Sequence, residues 1–286
     1  MTGHGTDAWK ASLRGRAYIV TGAARGLGRA YAAELLAAGA RVVLNDVDAD
    51  ALARTVAEFG ADADQIATSN ASVTDSATGE ALVDLCGRRW GRVDGLVNNA
   101  GIAYLAAVAD DTPARQRELI EVNLLGALWC GSAVLRRLLE QRSGAIVNIT
   151  SGAALGGRGL AAYASSKAAI LGLTYSWAVE AEGTGVRVNA LSPVAVTRMS
   201  VDPSGPPPER IAPVVGWLLS DASADFNGQV VRFDGHHLGL IAPPGPVPVT
   251  TLAPDWSPTD LEAALDGLRA RRTPVGAAAI VTDYAG

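Results

Sequence analysis

Cysteine, histidine and aromatic side chains are scarce in this chain, and each scarcity closes off a class of protein. Two cysteines, Cys86 and Cys130, stand far apart in 286 residues. They cannot form a disulfide framework, and they read as reduced thiols inside the core. The three histidines are His4, His236 and His237. No Cys or His cluster has the spacing of metal ligands, so no metal site is expected. His236 and His237 are adjacent, which leaves a ligand pair open, but a loop or interface role is the favoured reading. Lys and Arg number 24 against 29 Asp and Glu, a formal net charge of -5. With no basic stripe, the chain offers little to nucleic acid or to an anionic membrane surface. No run of about 18 uncharged apolar residues occurs, so no membrane span is expected. Met1 to Lys10 is polar, does not read as a secretory signal, and leaves a cytoplasmic location as the expectation.

Apolar residues, by contrast, are plentiful. They make up 49% of the chain against 19% charged, enough to bury a large core. Short apolar runs alternate with longer amphipathic stretches. Strands are expected at residues 17–20, 41–44, 65–67, 95–97, 145–149, 186–191 and 230–233. Helices are expected at 26–38, 49–59, 76–89, around 113–139, and over 160–182. Strands too uniformly apolar to alternate suit a sheet covered on both faces. Alternation with helices implies right-handed crossovers. The fold class expected is therefore α/β: one Rossmann-like, doubly wound domain with a mostly parallel, seven-stranded sheet and helices on both faces.

Residues 1–13 read as a tail, 14–240 as the dinucleotide-binding and catalytic domain, and 241–286 as a Pro-rich arm. The stretch 202–209 is rich in Pro, Gly and Ser and reads as a loop. A short helix is expected near 259–270, with acids early and arginines late as the helix dipole prefers. The arm is expected to pack on the domain or on a partner subunit.

The first strand runs into Thr21, Gly22, Ala23, Ala24, Arg25, Gly26, Leu27 and Gly28. Glycines here permit a tight turn and a close approach of backbone to a pyrophosphate. The helix that follows would present free N–H groups and its positive end to phosphate. A Gly-rich turn alone is weak evidence, but here it sits between a strand and a helix, as the fingerprint requires. About 20 residues on, strand two ends at Asp46. A carboxylate there can hold the adenosine ribose hydroxyls and would repel a 2′-phosphate. No cation follows among Val47, Asp48, Ala49 and Asp50, so NAD is favoured over NADP. Arg25 is the opposing signal. Asp48 is better placed than Asp46 to cap the next helix.

Three more motifs follow in order. Asn98, Asn99, Ala100 and Gly101 come after strand four, Ser151 ends strand five, and Tyr163 and Lys167 stand four apart on the last long helix. That spacing puts the phenol and the ammonium on one helix face, where the cation is expected to lower the tyrosine pKa. Together these motifs resemble the short-chain dehydrogenase/reductase (SDR) family over residues 14 to 240. The resemblance implies that Tyr163 is the acid/base, that Ser151 binds the reacting oxygen, and that Lys167 also holds the nicotinamide ribose. It implies that Asn123 supports a water relay to the lysine. It places cofactor contacts at Gly22, Arg25, Gly26, Leu27, Gly28, Asp46, Ser72, Val73, Asn99, Ala100, Gly101, Val196 and Thr197, besides Tyr163 and Lys167. Ser72 stands where the family usually has Asp. Pro193, Val194, Ala195, Val196 and Thr197 replace the usual Pro-Gly, a variant similar to the hydroxyacyl-CoA dehydrogenase part of multifunctional β-oxidation enzymes.

The implied activity is hydride transfer between NAD(H) and a secondary alcohol or ketone. Ile102, Tyr104, residues 153–160, Val194 and Ala195 would line a mostly apolar pocket, so a lipophilic substrate is expected. A β-ketoacyl thioester is the alternative substrate, and a non-catalytic NAD(H) sensor the alternative from another class. Arg158 and Arg198 read as solvated, though an anionic tail could use them. Apolar residues on several faces of the long helices point to a homodimer or, by preference, a homotetramer.

Overall fold

The expected strand runs lie inside one sheet in the computed structural model, which describes residues 8–62, 64–197 and 205–243. After a short α1 (Ala8–Ala11), β1 (Ala17–Thr21) is buried along its whole length. It takes the centre of the sheet, between β2 (Arg41–Asn45) and β4 (Gly95–Asn98). Beyond β2 lies β3 (Ile66–Ser69). Beyond β4 lie β5 (Gly144–Ile149), β6 (Val186–Pro193) and β7 (Val230–Phe233), all parallel. The order β3-β2-β1-β4-β5-β6-β7 reverses direction at β1, and the crevice beyond its C-terminal end is where such sheets bind ligands.

The helices cover both faces. On one side α2 (Gly26–Ala37) and α8 (Pro208–Leu219) bury Tyr31, Leu35, Ile211 and Val215 against Val20, Leu44 and Val147. On the other, α4 (Thr78–Trp90), α6 (Gly126–Gln141) and α7 (Ala161–Glu180) bury Leu82, Val134 and Trp177 against Ile19, Leu96 and Ile146. Neighbouring residues of one strand thus serve opposite cores, as the two-residue strand period requires. Between β2 and β3, α3 (Ala49–Phe59) starts on an Asp48 cap whose carboxylate accepts from Ala51 N at 2.9 Å. Cys86 and Cys130 are free, buried thiols, and burial pushes each up to about 12.

Four expectations need correction or completion. Among the described residues the sheet has eight strands, not seven: β8 (Leu238–Leu240) pairs antiparallel with β7. It is three residues long with a central glycine, too short to show periodicity. Asp234 turns the chain back by accepting from His236 N and His237 N at 2.9 and 2.7 Å, which places both histidines in a loop.

The expected loop over 202–209 gives way to α8 at Pro208, a helix that the sequence reading did not assign. Pro208 suits a first helical position, where an N–H would have no partner. Pro213 withholds only the bond that Glu209 O would accept, near the helix start.

The single helix expected around 113–139 is α5 (Pro113–Ile120) and α6 joined by a π-helical turn, Glu121–Leu125. The continuous stretch Pro113–Gln141 is long and apolar enough to cross a membrane by composition, with a hydropathy of 1.4 in its most apolar window. Its apolar side chains Leu119, Val134, Leu135 and Leu138 are core residues, which accounts for that composition.

The expected helix near 259–270 and most of the 241–286 arm lie outside the described residues, as do Arg198 and most of the loop after it.

Candidate active site

The β1–α2 turn has the shape its glycines predict. Gly22 and Gly26 lie at φ +67° and +52°, the left-handed region that favours glycine. A Cβ on Gly28 would stand 2.5 Å from Asn99 Nδ2 and closer still to the Gly22 carbonyl oxygen. Asn99 closes the turn by donating to Thr21 O and Gly22 O at 2.9 and 3.1 Å. Thr21 Oγ1 accepts from Asn99 N and Ala100 N at 3.0 and 3.1 Å. The Gly-rich turn and the Asn-Asn-Ala-Gly segment are therefore one bonded unit across β1 and β4. Arg25 stands at the N-cap of α2 with no side-chain cap bond, and half-buried Leu27 packs on the core, so the first N–H groups of the helix have no partner within it.

Asp46 stands at the end of β2 beside this turn. Its Oδ2 accepts from Ala24 N at 3.0 Å and its Oδ1 from Asp48 N at 3.1 Å. Arg25 is ion-paired with Asp48, so an acid neutralises the one cation in the turn. The Ala51 N–H and the Arg25 guanidinium together hold the Asp48 carboxyl below its ordinary range.

Ser72 folds its hydroxyl onto Thr74, 2.8 Å away, and Val73 is buried against Gly126 at the start of α6. Thr197 comes from the other wall: a Cβ on Gly26 would lie 3.6 Å from its methyl carbon. Val196 N donates to Pro206 O at 2.9 Å, which ties the residues just after β6 to those just before α8.

The catalytic candidates converge beside this cradle. Asn123 sits in the π-helical turn, 1% exposed. Its Oδ1 accepts from Ile102 N at 2.8 Å, and its Nδ2 donates to Ile102 O at 2.9 Å and to Ser166 Oγ at 3.3 Å. It thereby ties the loop after β4 to α7. Single π-turns are frequent at functional positions because they displace one residue from the regular helix register. A Cβ on Gly101 would lie 3.2 Å from Asn123 Oδ1 and 3.7 Å from Lys167 Nζ, so these three residues meet.

Lys167 donates to Ile149 O at 2.9 Å, and its Nζ lies 5.9 Å from the Tyr163 ring centroid. Full burial lowers its pKa to about 8. Ser151 caps a 3-10 turn, Gly152–Leu155, by accepting from Ala153 N at 3.2 Å, and its hydroxyl stands near enough to the Tyr163 phenol to act on its pKa. The neighbouring Thr150 is buried and donates to Lys167 O at 2.8 Å, which leaves Ser151 as the hydroxyl facing Tyr163.

The expectation that Lys167 lowers the tyrosine pKa is not what the geometry gives. Burial pushes Tyr163 above its ordinary value, and the Ser151 hydroxyl offsets part of that rise. The ammonium is spent on the Ile149 carbonyl rather than on the phenol.

Of the expected pocket lining, Tyr104 turns its hydroxyl to Asp111 at 3.1 Å, under the Arg115 guanidinium. Ala106 N donates to Gly159 O at 3.0 Å, so the loops after β4 and β5 are bonded into one rim. Leu105 and Leu155 are exposed along it, and so is Arg158.

A switch-point crevice, a glycine cradle and a Ser-Tyr-Lys group define a dinucleotide-dependent oxidoreductase of alcohols and ketones. The chain belongs to the short chain dehydrogenase family, whose model matches residues 16–204. It is 35% identical to levodione reductase of Leifsonia aquatica, over 77% of this chain and 93% of that protein. It is 33% identical to the (2S)-[(R)-hydroxy(phenyl)methyl]succinyl-CoA dehydrogenase subunit BbsD of Thauera aromatica, over 78% of this chain and 96% of that one. A short chain dehydrogenase structure from Mycobacterium avium superposes with a TM-score of 0.82 at 30% identity, covering 92% of this chain and 98% of its own.

Proposed function

We propose that this protein transfers hydride between NAD(H) and a lipophilic secondary alcohol or ketone, with Tyr163 as the proton donor and acceptor. The observation that carries the reading is the meeting of Ser151, Tyr163 and Lys167 beside a glycine cradle that a single added Cβ would fill.

The residues present fit a dinucleotide. Gly22, Arg25, Gly26, Leu27 and Gly28 would hold the pyrophosphate at the N-terminal end of α2. Asp46 would take the adenosine ribose, and Ser72 and Val73 the adenine. Asn99, Ala100, Gly101, Val196 and Thr197 would flank the nicotinamide end. NAD is favoured over NADP because the Asp46 and Asp48 carboxylates after β2 would repel a 2′-phosphate, and Arg25 is already paired. A bound nicotinamide supplies or accepts the hydride.

The chain's own groups handle the proton and the oxygen. Ser151 donates to the substrate oxygen and steadies its developing negative charge. In reduction, the Tyr163 hydroxyl gives its proton to that oxygen. In oxidation, the tyrosine oxygen takes the proton from the alcohol. A phenol held above its ordinary pKa is protonated at neutral pH and so is ready to reduce a ketone. Lys167 would hold the nicotinamide ribose, and a water relay supported by Asn123, which fixes the loop the lysine faces, would return the proton that Tyr163 gives up.

The exposed apolar side chains of the rim, Leu105 and Leu155, support a lipophilic substrate. The likeness to BbsD, whose name carries a CoA thioester, supports the acyl-thioester reading as the alternative. The NAD(H)-sensor reading would be favoured by tight binding without turnover. We place the protein in the cytoplasm as a homotetramer or homodimer joined through α6 and α7, where Val179 is 73% exposed. The test is reduced-nicotinamide absorbance with a panel of ketones, secondary alcohols and β-ketoacyl thioesters. Conversion of ketones by wild type and none by Tyr163→Phe is the expected result.

A further inference from the structure

The turn that carries Ser151 is braced from behind by an arginine the site does not otherwise use. Arg232 lies on β7, directly opposite Ser192 of β6, and its Nη1 donates to Ser192 Oγ at 3.0 Å. Ser192 is fully buried, so this bond fixes the guanidinium to the sheet. The guanidinium then lies against Gly152, the residue after Ser151. A Cβ on Gly152 would stand 2.8 Å from Nη1, 3.2 Å from Cζ and 3.3 Å from Nη2. Nη1 is the nearest of the three, so the nitrogen that bonds Ser192 is also the one that leads the contact with Gly152, and the planar, branched group makes both contacts as a lysine ammonium would not.

We propose that Arg232 is a positioning residue: by holding the Gly152 backbone, it fixes the Ser151 hydroxyl against Tyr163. Ser151 has a local restraint of its own, the Ala153 amide, and stands near the Tyr163 hydroxyl. Arg232 supplies the restraint from the sheet side. Its charge is not the agent, because the Tyr163 pKa answers to burial and to Ser151. The inference rests on Ser151 acting as the oxygen-binding hydroxyl.

The experiment is a double-mutant cycle of Arg232→Ala and Ser151→Ala, with Arg232→Lys as the conservative variant, alongside amide hydrogen exchange of residues 152–156. Removing Arg232 in the wild-type background is expected to lower kcat about tenfold, with NADH affinity unchanged. In the Ser151→Ala background the same change is expected to cost less than about twofold, because the restraint has nothing left to position. Added guanidinium ion is expected to restore part of the Arg232→Ala rate, and lysine at this position is not. Exchange at 152–156 is expected to quicken in both variants while the turn at 22–28 stays as it was.

Additive losses in the cycle, or unchanged exchange at 152–156, would overturn the proposal. If Arg232→Ala does not fold, Arg232→Lys carries the same comparison. If wild type turns over no substrate, the proposed function fails, and the exchange measurement still decides whether Arg232 holds the turn.

Discussion

Gly28→Ala probes the cofactor cradle with the smallest possible change. The added methyl carbon would stand 2.5 Å from Asn99 Nδ2 and nearer still to the Gly22 carbonyl oxygen. Neither atom can yield alone. Asn99 Nδ2 is held by Thr21 O and Gly22 O, and the Gly22 carbonyl belongs to a backbone already at positive φ. The turn must therefore retreat by roughly 1 Å, an overpacking strain on the order of 1–3 kcal/mol. Because the turn itself would hold the pyrophosphate, that strain falls on binding. NADH affinity should weaken by about 10- to 100-fold, since each 1.4 kcal/mol is a factor of ten. The two cores on either side of the sheet are not touched, so the protein should still fold. Calorimetric titration with NADH, with circular dichroism as the folding control, measures both. A folded Gly28→Ala protein that binds NADH within twofold of wild type would refute the cradle.

Other outcomes follow from the same geometry. Asp46→Ala should weaken NAD by about 10-fold or more, the worth of charge-assisted ribose bonds, and narrow the preference over NADP, as paired KM measurements would show. Because burial holds the Tyr163 phenol above its ordinary value of 10, alcohol oxidation should speed up as pH rises toward that value, while ketone reduction should hold level and slow only once the phenol ionises above pH 10. A rising oxidation profile beside a level reduction profile below pH 10 checks this. Lys167 titrates at about 8, below its ordinary 10.5, so between those values the unfolded chain holds a proton that the folded one has released. Stability should therefore rise with pH across that window, and the cost of the buried charge is fully present below it. Lys167→Met should abolish turnover yet stabilise the fold at pH 7 by about 1 kcal/mol, after loss of the Ile149 bond, with the advantage shrinking toward pH 10. Denaturant melts at the two pH values measure it.

The sequence made most of this architecture legible because each signal was local. Strand runs buried on both faces, such as Ala17–Thr21, are continuous apolar blocks, and Gly22, Gly26 and Gly28 sit where only glycine fits. The features that escaped depend on distant partners. The helix α8 was hidden by the prolines at its start, which packing against α2 overrides. The π-helical turn leaves no mark on composition, since Glu121–Leu125 reads as ordinary helix. Strand β8 is too short to have a period. The lysine–tyrosine pairing was visible as a spacing, but the direction of the Tyr163 shift was not, because burial and the Ile149 carbonyl are tertiary facts. The same holds for Arg232, which lies 80 positions beyond Gly152 and meets it only through the sheet.

The most direct test of the account follows reduced-nicotinamide absorbance as purified protein meets NAD and NADP with secondary alcohols, and NADH and NADPH with the matching ketones and β-ketoacyl thioesters. Turnover that prefers NAD(H), favours lipophilic ketones over thioesters and disappears in Tyr163→Phe while NADH still binds is the predicted result. A Tyr163→Phe protein that keeps its turnover, or a wild type that binds NADH tightly and converts nothing, would contradict it.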